Sequence, residues 1–149
     1  MIGIIYNPMT NGGKSADRMK NILGLLDAKG VEYTYRETEA EGQAKDIAKE
    51  LSETCDIIVP AGGDGTVFEV VNGMYGGKAA MLIFPFGSGN DIARSAGTLE
   101  LTDEQLVDLC VNGKARPFDC FTVNGEMIGM EFVTFNLVVN ILSMFKVPA

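Results

Sequence analysis

The sequence predicts an α/β domain, an open and mostly parallel sheet with flanking helices, continued by the start of a β-rich second unit. Apolar runs of strand length alternate with helical periodicity through the first two thirds of the chain, as βα units around a parallel sheet require. Glycine-rich segments follow several of the apolar runs, where a strand would turn into the next helix. From Lys114 onward helical spacing disappears and β-branched and aromatic residues take over, which sets the predicted division into residues 1–115 and 116–149.

Ile2 to Tyr6 reads as the first strand. After a polar loop, Ser15 is placed to cap a helix whose apolar positions Met19, Ile22, Leu23 and Leu26 share one face and which stops near Gly30. Val31, Tyr33 and Tyr35 alternate as a second strand, and Ala44, Ile47, Ala48 and Leu51 repeat the helical stripe. The run from Asp56 to Pro60 has the Ile-Ile-Val character of a strand buried on both faces. Val67, Val70, Val71 and Met74 return to helical spacing, and Ala79 to Phe84 reads as a fourth strand. Thr102 with Gln105 forms a capping box ahead of Leu106, Leu109 and Cys110, and Gly113 closes that helix. Asn124-Gly125 is a hairpin-turn signal inside the β-rich segment.

With 149 residues, 46% of them hydrophobic and 21% charged, the chain can bury one ordinary core. Twelve Lys and Arg against 20 Asp and Glu leave a net charge of −8, so no basic field draws nucleic acid, and phosphate has to be gripped locally. The absence of His removes the commonest general base and zinc ligand, which excludes triad hydrolases and most zinc enzymes. Chemistry is left to carboxylates, hydroxyls or a bound metal. Cys55, Cys110 and Cys120 are odd in number and make no CxxC pair, so they are expected to be free buried thiols in a reducing cytoplasm. The opening Met-Ile-Gly-Ile-Ile-Tyr lacks the charged start of a signal peptide. The uncharged run from Phe132 to Phe145 contains Asn136 and Asn140 and falls short of the roughly 20 apolar residues of a spanning helix. Its apolar surface instead calls for a homodimer partner or a further C-terminal domain.

Ligands of open α/β sheets collect at the carboxyl ends of the strands, where three loops of this chain fall. The first, Asn7 to Ser15, matches a Walker A loop only at Gly13-Lys14-Ser15, because Pro8 stands where the first glycine is required. In the second, Gly62-Gly63-Asp64-Gly65-Thr66, residues without Cβ let backbone N–H groups approach phosphate ahead of a helix start. A carboxylate there is repelled by phosphate unless a cation or a proton lies between, which gives Asp64 a Mg²⁺-linked or general-base role. The third, Gly87-Ser88-Gly89-Asn90-Asp91, offers the same close approach, a hydroxyl donor, and Asn90 or Asp91 to cap the next helix.

These three segments, in this order, resemble the diacylglycerol kinase catalytic-domain family, which includes bacterial lipid kinases and sphingosine kinases. Asn7-Pro8 with Gly12-Gly13-Lys14 is similar to its opening Asn-Pro loop, Gly62 to Thr66 to its Gly-Gly-Asp-Gly-Thr signature, and Gly87 to Arg94 to its Gly-Thr-Gly-Asn-Asp-x-Ala-Arg segment; Val70-Val71-Asn72-Gly73 also fits. The resemblance implies a nucleotide domain like that of phosphofructokinase and NAD kinase. It implies that Asn7, Thr38, Gly62, Gly63, Asp64, Gly65, Thr66, Gly87, Ser88, Gly89 and Asn90 meet nucleotide, that Asp64 takes part in catalysis, and that ATP and Mg²⁺ serve as cosubstrate and metal, with metal ligands unassigned. Lys14 and Arg94 are added as cations that could steady phosphate.

Two departures accompany the resemblance. Phe68 replaces the family's usual Asn, and the family's β-rich C-terminal domain, with its metal ligands, catalytic carboxylate and part of the lipid pocket, has only residues 116–149 to stand for it. The expected activity is ATP-dependent phosphoryl transfer to the hydroxyl of a lipid, of diacylglycerol or sphingoid type, with peripheral membrane contact. The alternatives are a nucleotide-binding module without turnover and, behind it, an NAD kinase.

Overall fold

The computed structural model describes residues 1–123, 127–129 and 140–148. Its main sheet is assembled from β1 (Ile2–Tyr6), β2 (Tyr33–Glu37), β3 (Ile57–Gly62), β4 (Ala80–Met81) and β5 (Phe84–Pro85). The order is β2-β1-β3-β4, with β5 also paired to β3, and every pairing is parallel. The chain leaves β1 toward β2 on one side and returns to β3 on the other, so the order reverses between β1 and β3. That reversal opens a crevice at the carboxyl edge of the sheet.

Among the described residues five α-helices cover the two faces: α1 (Ala16–Ala28), α2 (Gln43–Leu51), α3 (Asp64–Gly73), α4 (Asp91–Ala96) and α5 (Asp103–Asn112). Strand alternation sorts the core into two layers. Ile2, Ile4 and Tyr6 of β1 pack with Met19, Ile22 and Leu26 of α1 and Leu106, Val107 and Cys110 of α5. Ile5 and Ile58 face the opposite way, onto Ile47 and Leu51 of α2, Val67, Val70 and Val71 of α3, and Ile92 of α4. Burial of each such aliphatic side chain stabilises the fold by about 1.5–3 kcal/mol. Gly73 lets α3 approach α2 closely, since a Cβ there would lie 2.1 Å from the Lys45 carbonyl oxygen.

The expected fourth strand is realised as two short pieces rather than one run from Ala79. Its ladder continues in part nonetheless, because the N–H groups of Leu82 and Phe86 reach the carbonyls of Ile58 and Gly62 at 3.0 and 3.1 Å. The second strand starts at Tyr33, not Val31. The capping box at Thr102 is present in full, with Gln105 N–H donating to Thr102 Oγ1 and Thr102 N–H to Gln105 Oε1.

Beyond α5 the pairing becomes antiparallel. β6 (Ala115–Val123) lies between β7 (Met127–Gly129) and β8 (Asn140–Pro148), with a register shift in β6 between Phe118 and Asp119. The expected turn at Asn124-Gly125 lies outside the described residues, although Val123 and Met127 on either side are paired. Of the uncharged run from Phe132 to Phe145, residues 132–139 lie outside the description and 140–145 belong to β8. Among the described residues no helix is long and apolar enough to cross a membrane. Cys55, Cys110 and Cys120 are buried, and none of them forms a disulfide among the described residues.

Candidate functional site

A cleft of about 690 Å³ opens at the carboxyl edge of the sheet. Four chain segments meet in it: Asn7 to Asn11 after β1, Thr38 to Glu41 after β2, Gly63 to Thr66 after β3, and Gly87 to Gly89 after β5. Of the eleven residues predicted to meet nucleotide, Asn7, Thr38, Gly63, Asp64, Gly65, Thr66, Gly87, Ser88 and Gly89 line it. Gly62 and Asn90 are not among its lining residues. Gly62 ends β3 with no room for a side chain, a Cβ there falling 2.4 Å from Thr66 Oγ1. Asn90 is buried, with φ 55°, and shapes the third loop from behind. Its Oδ1 accepts the Gly87 N–H at 2.8 Å and its Nδ2 donates to the Gly87 carbonyl at 2.6 Å.

The loops are tied to one another by side chains of the motif residues themselves. Asn7 donates from Nδ2 to Thr66 Oγ1 at 3.1 Å and accepts the Met9 N–H at 3.0 Å, which holds the first loop to the second. Asp64 begins α3, and its Oδ1 accepts the Ile92 N–H at 3.1 Å, so one carboxylate joins the glycine signature to the first turn of α4. Its Oδ2 lies toward Gly89, where a Cβ would come within 3.1 Å. Thr38 is buried, and its N–H extends the β1–β2 pairing by reaching the Tyr6 carbonyl at 2.9 Å.

Two expected caps work differently. Ser15 occupies the N-cap position of α1 without capping it. Its hydroxyl instead shares a 2.8 Å hydrogen bond with the buried Tyr6 hydroxyl, a partner that satisfies both groups away from water. Asn90 occupies the N-cap of α4, but its side chain turns back to Gly87 and leaves the Ile92 N–H to Asp64.

Behind the cleft Arg18 holds the third loop in place. Its Nη1 donates to the Pro85 carbonyl at 2.6 Å, its Nε donates to Asp103 Oδ1 at 2.8 Å, and its guanidinium lies 4.6 Å from the centroid of Phe86. Phe86 packs edge-on against Tyr6, which stacks on Tyr35. Burial, then the hydrogen bond to Glu37 and its charge, push the Tyr35 hydroxyl well above its usual range.

The cleft wall is acidic. Glu39, Glu41 and Glu69 line it beside Asp64, and no Lys or Arg is among the lining residues; Lys14 and Arg94 do not contribute, and Arg94 Nε lies 3.8 Å from Asp91 Oδ1. Periodicity could not have found Glu69 or Arg18, because their partners lie 25 to 85 residues away. Among the described residues no three His, Cys, Asp or Glu are grouped to hold a metal ion. Asp64 offers one carboxylate beside glycine N–H groups, the donor type that suits Mg²⁺ when phosphate oxygens complete its coordination.

An open parallel sheet with glycine loops gathered where the strand order reverses defines an α/β domain of the ligand-binding kind. Residues 1–123 match the model of the diacylglycerol kinase catalytic domain, and the chain belongs to that family. It is 35% identical over 126 residues to a diacylglycerol kinase of Bacillus subtilis, covering 83% of this chain and 42% of the relative. It is 32% identical over 137 residues to the mitochondrial acylglycerol kinase of Homo sapiens, covering 83% and 32%. The crystal structure of a diacylglycerol kinase from Bacillus anthracis superposes with a TM-score of 0.73 at 28% identity, over 84% of this chain and 46% of that one. The chain thus spans less than half the length of these relatives.

Proposed function

We propose that this chain is the nucleotide-binding part of an ATP-dependent lipid kinase that transfers the γ-phosphoryl group to a lipid hydroxyl. The observation that carries this reading is the convergence of Asn7, Thr38, Gly63 to Thr66 and Gly87 to Gly89 on one cleft. The loop N–H groups and the start of α3 provide the local positive field that a chain of net charge −8 lacks overall. Mg²⁺, when bound, would neutralise charge on the phosphates. Asp64 stands at the cradle, either to hold that ion's water shell or to take the proton of the acceptor hydroxyl. Kinship with diacylglycerol and acylglycerol kinases supports a glycerolipid hydroxyl as acceptor, and Gly87 to Arg94 favours the lipid-kinase side over NAD kinase.

Residues 1–115 form the nucleotide domain in this reading, and 116–149 begin a β-rich unit that reaches toward the lipid. A second reading, nucleotide binding without turnover by this chain alone, is favoured by its spanning 42% and 32% of its relatives. Calorimetric titration with MgATP, paired with an assay of phosphate transfer to diacylglycerol micelles, separates the two. Binding with transfer supports the kinase, binding without transfer supports the module, and no binding overturns both.

A further inference from the structure

The geometry points to Glu69 as a positioning residue of the cleft, whose carboxylate fastens the segment after β2 against the glycine signature so that Thr38 to Ala44 forms a fixed wall for nucleotide. This rests on the nucleotide reading above. Glu69 lies on α3, one and a half turns past Asp64, and is half-buried at the cleft. Its Oε1 accepts the Gly42 N–H at 2.9 Å and its Oε2 accepts the Ala44 N–H at 3.1 Å.

Gly42 is the N-cap of α2 and has no side chain with which to cap it. The first N–H groups of a helix have no partner within it. Glu69 therefore does from another helix what a Ser or Asp does locally, and its charge meets the positive end of α2. Gly42 takes φ 84°, a conformation that glycine adopts without a Cβ penalty. Its N–H is aimed at Glu69, and Gln43 adds a second tie by accepting the Glu39 N–H at 2.6 Å. Both ends of the segment Glu39 to Gly42 are thus anchored, one at α2 and one at Thr38, whose N–H is bonded to β1.

The same contacts explain how an acidic side chain can line a cleft meant for a polyanion. Two of the four lining carboxylates, Asp64 and Glu69, accept backbone N–H groups at the start of α4 and α2. Hydrogen bonds at helix starts offset their charge, so less of it is turned toward phosphate. Because α3 carries both Asp64 and Glu69, one rigid element aligns the phosphate cradle with the wall formed after β2.

The test compares the full chain with Glu69→Ala and Glu69→Gln, following MgATP affinity by calorimetry and amide hydrogen exchange at Gly42 and Ala44. The Ala variant is expected to bind MgATP about tenfold more weakly, the scale of one lost charge-assisted tie. Its exchange should accelerate at Gly42 and Ala44 while β1 and β3 keep their protection. The Gln variant, isosteric and with one acceptor oxygen left, should fall between wild type and Ala in both readouts, and it carries the test if the Ala variant does not fold. Faster exchange with unchanged affinity would show a structural tie only and overturn the proposal, as would unchanged exchange. A wild-type chain that gives no heat with MgATP would overturn the nucleotide reading itself, and the proposal with it, before any variant is compared.

Discussion

A Cβ placed on Gly87 would lie 2.6 Å from the Cα of Gly63, so the second and third loops touch backbone to backbone with no room for a side chain between them. The reverse substitution is milder, since a Cβ on Gly63 would meet Gly87 Cα at 3.4 Å. Gly87→Ala should therefore cost about 1–3 kcal/mol as overpacking against unyielding main chain, and Gly63→Ala clearly less. Urea denaturation midpoints of the two variants measure the difference. Equal losses would mean that the loops do not meet in this way.

Asp64 has a structural duty, accepting the Ile92 N–H, alongside the catalytic one proposed for it. Asparagine keeps a carbonyl oxygen for that bond, and alanine does not. Asp64→Ala should lose about 1–3 kcal/mol of stability with the bond, whereas Asp64→Asn should unfold near the wild-type midpoint and largely retain MgATP affinity. In a protein with transferase activity Asp64→Asn should nevertheless abolish turnover. Retained phosphate transfer in the Asn variant would remove Asp64 from the chemistry and leave it as a cap.

Burial pushes the Cys110 thiol up to about 12, partly opposed by a backbone hydrogen bond. The folded value lies above the ordinary 9.0, so the unfolded chain loses this proton first. The associated stability is fully present below pH 9 and is lost as pH rises toward 12. Denaturation midpoints of the wild type should thus decline more steeply from pH 9 to 11 than those of Cys110→Ala, whatever the difference at neutral pH. Parallel pH profiles would count against a protonated, buried thiol.

The alternation of Ile2, Ile4 and Tyr6 with Gly3 and Ile5, and the helical stripes of α1, α2, α3 and α5, are local patterns, and they made the sheet and its helical layers legible from the sequence. The glycine loops were legible for a related reason, since a strand followed by residues without Cβ admits few other structures. What stayed hidden depends on partners distant in the chain. Ser15 and Asn90 have the side chains of N-caps, but the Tyr6 hydroxyl and the Gly87 backbone compete for them. Glu69 and Arg18 read as ordinary helix-surface charges until folding brings Gly42, Ala44, Pro85 and Asp103 beside them. The fourth strand divides in two although both pieces hold the same register against β3, because Pro60 of β3 has no N–H to donate to the ladder between them, and apolarity alone does not show that gap.

Asn7 and Thr102 each join two hydrogen bonds to nearby chain, one inside the cleft and one remote from it. Asn7 holds Thr66 Oγ1 and the Met9 N–H; Thr102 and Gln105 bond reciprocally at the start of α5. Thr102→Ala removes the Oγ1 acceptor but keeps the N–H bond to Gln105, at a cost of about 1 kcal/mol; Asn7→Ala removes both of its bonds, at about 1–2 kcal/mol, so the two variants are comparable in stability and differ in place. If the first loop is a wall of the nucleotide site, Asn7→Ala alone should weaken MgATP binding, because freeing Met9 to Asn11 adds an ordering cost to binding that α5 does not share. Calorimetry at a temperature where both variants remain folded makes the comparison. A loss of affinity in both would trace to general destabilisation, and a loss in neither would take the loop after β1 out of the site.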